Sequence, residues 1–60
     1  MPVVEIKMWS GRSDDQKAEI IKDITKVFEK QGVPKDQTTV IIYDIDKKNW
    51  GINGKQASQQ

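Results

Sequence analysis

The chain has 60 residues, a net charge of +1, and neither cysteine nor histidine. That excludes disulfides, a zinc site of nitrogen and sulfur ligands, and any Ser–His or Cys–His nucleophile pair. The near-zero net charge gives no strong pull towards nucleic acid or membrane, and no apolar run approaches the roughly 18 residues of a membrane span. A single cytoplasmic domain over residues 1–60 is the expectation, since no signal peptide is visible. A domain of this size buries only about 60% of its unfolded surface. With disulfides and metals set aside, oligomerisation is the remaining source of stability.

The chain opens on "MPVVEI". Proline lacks the N–H that a ladder needs, yet it is tolerated at the first position of a strand. If Met1 is removed, Pro2 instead carries a secondary amine at the head of a strand, and that amine is a candidate base. From Val3 to Trp9 the residues alternate. Val4, Ile6 and Met8 share one face, and Val3, Glu5 and Lys7 the other. "SGRSDDQKAEIIKDITKVFEKQG" follows. Ser13 and Gln16 form a capping box, and Asp14 and Asp15 suit the positive end of the helix dipole. Ile20, Ile21, Ile24, Val27 and Phe28 recur at helical spacing, so a helix is expected from about Asp14 to Gln31. Gly32 and Pro34 end it.

"TTVIIYDID" reads as a second strand, apolar on both faces. Val40 and Ile42 lie on one side, and Ile41, Tyr43 and Ile45 on the other. Strand, helix, strand is the β-α-β unit with parallel strands and a right-handed crossover. "KKNWGINGK" carries two glycines and suggests a turn or small hairpin, and the polar tail "GKQASQQ" is expected to fray or to pack only by contact with a partner. One helix covers one sheet face, so the other face is expected to pack on a second copy about a two-fold axis.

Few residues are left for chemistry. Most carboxylates belong to helix caps or the solvent face. Arg12 is the only arginine among nine lysines, and it sits beside the helix start, the wrong end of the dipole for a cation. It forms either a surface pair with Asp14 or Asp15, or a bidentate grip on a substrate carboxylate, which arginine makes better than lysine. Trp50, between Asn49 and Gly51, reads first as an interface clamp and second as the apolar wall of a pocket. Tyr43 reads as core or interface. Lys47 and Lys48 beside Trp50 make a weak case for a nucleic-acid contact.

The Met-Pro start with its strand, "GRSDDQK" at the first helical turn, "VII" in the second strand and "NWGINGKQAS" near the end together resemble the 4-oxalocrotonate tautomerase family. The resemblance covers nearly the whole chain. It implies an α+β subunit, a β-α-β unit with a short C-terminal hairpin. Such subunits pair into dimers, and three dimers make a homohexamer. It also implies a keto–enol tautomerase that uses no metal or organic cofactor, and a small enol or keto acid as its partner. After loss of Met1, the Pro2 amine would take the hydroxyl proton of a dienol such as 2-hydroxymuconate and return a proton to carbon. An apolar wall of Val3 and Trp50 and the charge of Arg12 would lower the pKa of that amine towards neutrality.

In the family, the arginine matching Arg12 comes from a neighbouring subunit and holds the far carboxylate. The aromatic matching Trp50, usually phenylalanine, closes the pocket, and the backbone N–H at Trp9 helps hold the substrate. One departure stands out. Thr39 occupies the place of a second arginine that engages the near carboxylate, which implies weaker turnover of dicarboxylates or a different substrate, with a lysine such as Lys35 as a possible substitute. The competing readings are a non-catalytic oligomeric binding module on the same scaffold, or another Pro2-dependent reaction on unsaturated acids, such as hydration or dehalogenation.

Overall fold

The computed structural model describes residues 1–60. Strand β1 spans Val3–Trp9 and helix α1 Asp14–Glu29. Strand β2 spans Thr39–Ile45, and two short strands follow, β3 at Gly51–Ile52 and β4 at Lys55–Gln56. β1 and β2 pair in parallel, Val3 beside Thr39 through to Trp9 beside Ile45. β3 and β4 form a separate antiparallel hairpin. The β-α-β unit and the hairpin are those expected from the sequence.

The capping box closes as the spacing requires. Gln16 N–H donates to Ser13 Oγ at 3.1 Å, and Ser13 N–H donates back to Gln16 Oε1 at 2.9 Å. The helix ends two residues earlier than expected. Gln31 and Gly32 turn their N–H groups to the carbonyls of Phe28 and Glu29, and Val33 N–H also reaches Phe28. These bonds close the helix and satisfy its last carbonyls. Three residues, Lys35–Gln37, then form a 3-10 turn that leads into β2. The hairpin turns at Asn53 and Gly54, with φ of 55° and 76°. Two successive positive φ angles are what a tight two-residue hairpin needs, and Asn-Gly supplies them at least cost.

Helix α1 lies on one face of the two-stranded sheet. Val4, Ile6 and Met8 of β1, with Val40 and Ile42 of β2, are half-buried there, as are Ile20, Ile24 and Phe28 of the helix. On the same side Lys17 makes an ion pair with Asp44. The opposite face is bare. It carries Val3 at 58% exposure, Ile41 at 37% and Tyr43 at 40%. Of the 60 residues only Ala57 is buried, so a lone subunit has almost no interior.

Tyr43 Oη donates to Glu5 Oε2 at 2.8 Å across the bare face, and Lys7 Nζ stands 5.6 Å from the centre of the tyrosine ring. The hydrogen bond to Glu5, and then the charge of that carboxylate, hold the Tyr43 pKa above its ordinary value of 10.0. Ionising the phenol would break the bond and set two negative charges side by side. Tyr43 is the one tyrosine of the chain, so its ultraviolet titration is read without interference. The midpoint is expected above 10.0 and falls towards it in Glu5→Gln; an unchanged midpoint in that variant would remove Glu5 as the cause.

Candidate active site

Pro2 stands immediately ahead of β1. Its carbonyl accepts a hydrogen bond from Thr39 N–H at 3.0 Å, so the start of β2 fixes its place. Pro2 is half-buried, whereas Met1 projects with 89% of its surface exposed. With Met1 attached, the proline nitrogen is an amide. Without it, the same atom is a secondary amine held at the end of the sheet. Thr39, half-buried and paired with Val3, shares this end. Strand alternation puts its side chain on the bare face with Ile41 and Tyr43. Lys35 does not join it. It lines a groove against α1 with Thr38, the residue just before β2.

The other expected residues gather at the far end of β1. The indoles of Trp9 and Trp50 meet edge to face, with centroids 5.8 Å apart and planes at 75°. This is a favoured aromatic geometry. Lys47 Nζ sits 4.6 Å from the centre of the Trp9 ring, on the 3-10 turn Lys47–Asn49 that precedes Trp50. Three hydrogen bonds, two of them between backbone groups, hold this end. Ser10 N–H donates to Ile45 carbonyl at 3.0 Å, and Ser10 Oγ to Asp46 Oδ1 at 2.9 Å. Ala57 N–H donates to Trp50 carbonyl at 2.7 Å, which ties the end of the hairpin to the residue before its start.

Arg12 lies between Gly11, with φ of 123°, and the cap residue Ser13. That φ belongs to glycine rather than to a residue with a side chain, and it turns the chain from strand to helix. Arg12 is exposed and makes no ion pair; the single ion pair of the molecule is Lys17 with Asp44. The surface pairing with Asp14 or Asp15 is therefore not formed, and the guanidinium is free for an anion.

Pro2 and Trp9 are seven strand positions apart, or roughly 23 Å at the usual rise. One chain thus brings Pro2 together with Thr39, and Trp9 with Trp50, while the two groups stand at opposite ends of the same strand. The cover of Lys47 over Trp9 and the bond from Tyr43 to Glu5 join residues far apart in sequence, and no local pattern in the chain signals either. No group of side chains has the composition to hold a metal ion.

This arrangement has close counterparts. Residues 2–60 match the model of the tautomerase enzyme family. The chain belongs to the tautomerase family. A 2-hydroxymuconate tautomerase of Comamonas testosteroni is 40% identical over 60 residues, covering 98% of this chain and 95% of its own. Among solved structures, a 4-oxalocrotonate tautomerase isozyme of Methylibium petroleiphilum superimposes with a TM-score of 0.85 at 38% identity, over 95% of this chain and 94% of the other. A heterohexameric 4-oxalocrotonate tautomerase of Chloroflexus aurantiacus does so at 0.87 and 27% identity, over 98% and 97%. Tautomerases are isomerases, and this chain is an enzyme of that class.

The Trp9–Trp50 contact is the one side-chain tie between the end of β1 and the segment that enters the hairpin at which both partners are aromatic. In a double-mutant cycle with Trp9→Leu and Trp50→Leu, thermal unfolding at fixed protein concentration should show a coupling of about 1 kcal/mol. Additive losses would mean that the two rings stabilise the fold independently.

Proposed function

We propose that this tautomerase is a cofactor-free keto–enol isomerase of 2-hydroxymuconate-like dienols, with the Pro2 amine as its general base. The fixed position of Pro2 at the head of β1, tied to Thr39, carries this reading. Met1 removal exposes the amine there. The amine takes the enol hydroxyl proton, and the O–H bonding pair becomes the new carbonyl π bond. The diene electrons shift along the chain, and the protonated amine returns a proton to the far carbon. A conjugated ketone results, and the amine is free again. Positioned proton transfer of this kind supplies about 10²–10⁴-fold.

Arg12 is the group to hold the substrate carboxylate remote from the reacting oxygen, and it draws electron density along the conjugated chain. Trp50 and Trp9 form the apolar end of the pocket, and the Trp9 backbone N–H assists in holding the substrate. Because Pro2 and Arg12 lie at opposite ends of β1, the site is completed by a second copy of the chain. The bare sheet face and the near absence of an interior support self-assembly. The heterohexameric relative supports a six-chain arrangement of the same kind. Thr39 offers a hydroxyl where a second arginine would neutralise charge, so dicarboxylate dienols turn over slowly.

Three variants test this on protein whose intact mass shows that Met1 is absent. Ketonisation of 2-hydroxymuconate, followed by absorbance, should fall at least about 100-fold in Pro2→Ala. An undiminished rate would remove the amine as base and bring forward a binding module or another chemistry. Pro2→Ala and Arg12→Ala should each be inactive alone. Co-refolded in equal amounts, they should recover about a quarter of the wild-type rate, as random pairing about a two-fold axis requires. No recovery from a mixture that assembles normally would place both residues in a site made by one chain.

Thr39→Arg adds a charge-assisted contact and should raise the 2-hydroxymuconate rate about tenfold or more. An assembled variant with no gain would show that Thr39 does not face the substrate.

A further inference from the structure

A groove of about 600 Å³ runs between the C-terminal half of α1 and the segment from Lys35 to Thr38. Lys22 and Lys26 line its helical wall, and Lys35 faces them from the other. Lys22 and Lys26 are one helical turn apart, a spacing at which like charges repel. Glu29 and Asp36 also line the groove, yet neither is paired with any of the three lysines, since the one ion pair of the molecule lies elsewhere. Three ammonium groups and two carboxylates therefore border one space, with an excess of positive charge and no ion pair between them.

Thr38 supplies a second, independent observation. Its Oγ1 is enclosed and has no hydrogen-bond partner, although the residue lines the same groove. Enclosed hydroxyls nearly always find a partner, and an orphan calls for one. Thr25, also in the lining, is already satisfied by donating to Ile21 carbonyl at 2.7 Å.

We infer that this groove is a binding site for a compact multivalent oxyanion, carrying two or more phosphate or carboxylate groups. Ammonium groups on both walls and a free hydroxyl are donors, which is what such an ion requires. The rest of the lining argues against other ligands. Ile21 is its one apolar residue, so it does not suit a lipid tail, and no aromatic ring is there to stack a nucleobase. Glu29 and Asp36 oppose any anion set against them, so the ion must be compact enough to sit among the three lysines. The site lies on the helix side of the sheet, away from the face that carries Thr39, and does not depend on the chemistry of Pro2.

The test is titration of the assembled protein with pyrophosphate in one arm and citrate in the other, at 150 mM salt, read by amide chemical shifts and by calorimetry. Saturable binding is expected, with shifts centred on Lys35–Thr38 and the facing turns of α1. The stronger arm then tells phosphate from carboxylate. Lys35→Gln and Lys26→Gln should each weaken it about tenfold. Thr38→Val should weaken it, while Thr38→Ser keeps it, a contrast that a purely structural threonine would not give. Absence of saturable binding, shifts centred on Arg12 instead, or affinity untouched by both lysine variants would each overturn the assignment.

Discussion

A single helix can cover one face of a two-stranded sheet and no more. That constraint governs the rest of the molecule. Val4, Ile6, Val40 and Ile42 find partners in Ile20, Ile24 and Phe28, and the alternation of the strands then delivers Val3, Ile41 and Tyr43 to water. The helix cannot be shortened or moved to help both sides, because its own apolar stripe is only wide enough for one. Non-directional burial thus ends at half the sheet, and what remains is a surface with both apolar and specific polar character. The Tyr43–Glu5 bond and Lys7 above the ring give the bare face a fixed chemical pattern rather than a uniform greasy one.

The same geometry divides the functional residues. A straight strand is a ruler. Whatever stands at its two ends is kept apart by its length, and β1 carries Pro2 at one end and the path to Arg12 at the other. In the proposed mechanism neither end suffices alone: one has the nitrogen, the other the guanidinium and the indoles. Arg12 is left without a protein partner, although Asp14 and Asp15 are close in sequence, because the carboxylates belong to the first helical turn while the arginine belongs to the loop before the cap. Its unpaired state leaves the guanidinium open to the carboxylate of the proposed substrate.

Local signals in the sequence were strong wherever one residue type has one physical use. Ser13 with Gln16 marked the helix start, Gly32 its end to within two residues, the two glycines of "KKNWGINGK" the turn or hairpin, and alternation assigned the sheet faces. The family resemblance brought in roles for Pro2, Arg12, Trp9, Trp50 and Thr39, but only the coordinates show that these fall into two groups at opposite ends of a strand. The Lys47–Trp9 contact, the Tyr43–Glu5 bond and the lysine-lined groove were not legible. Each depends on where two distant segments meet, and charged side chains on an amphipathic helix look alike in sequence whether they face open water or one another across a groove.

The parallel register has a further consequence, for the order of events in folding. Every one of the seven strand partners lies 36 positions along the chain, from Val3 with Thr39 to Trp9 with Ile45. An antiparallel hairpin can zip from its turn outward, adding pairs at small loop-closure cost. This sheet has no such starting point, because its first pair closes as long a loop as its last. The strands can meet only when the segment between them has already been drawn in, and compaction of that segment is what α1 provides. The capping box and the closing turn at Gly32 therefore act twice: once as local stabilisers of a helix, and again as the means by which the ends of β1 and β2 come within reach of each other.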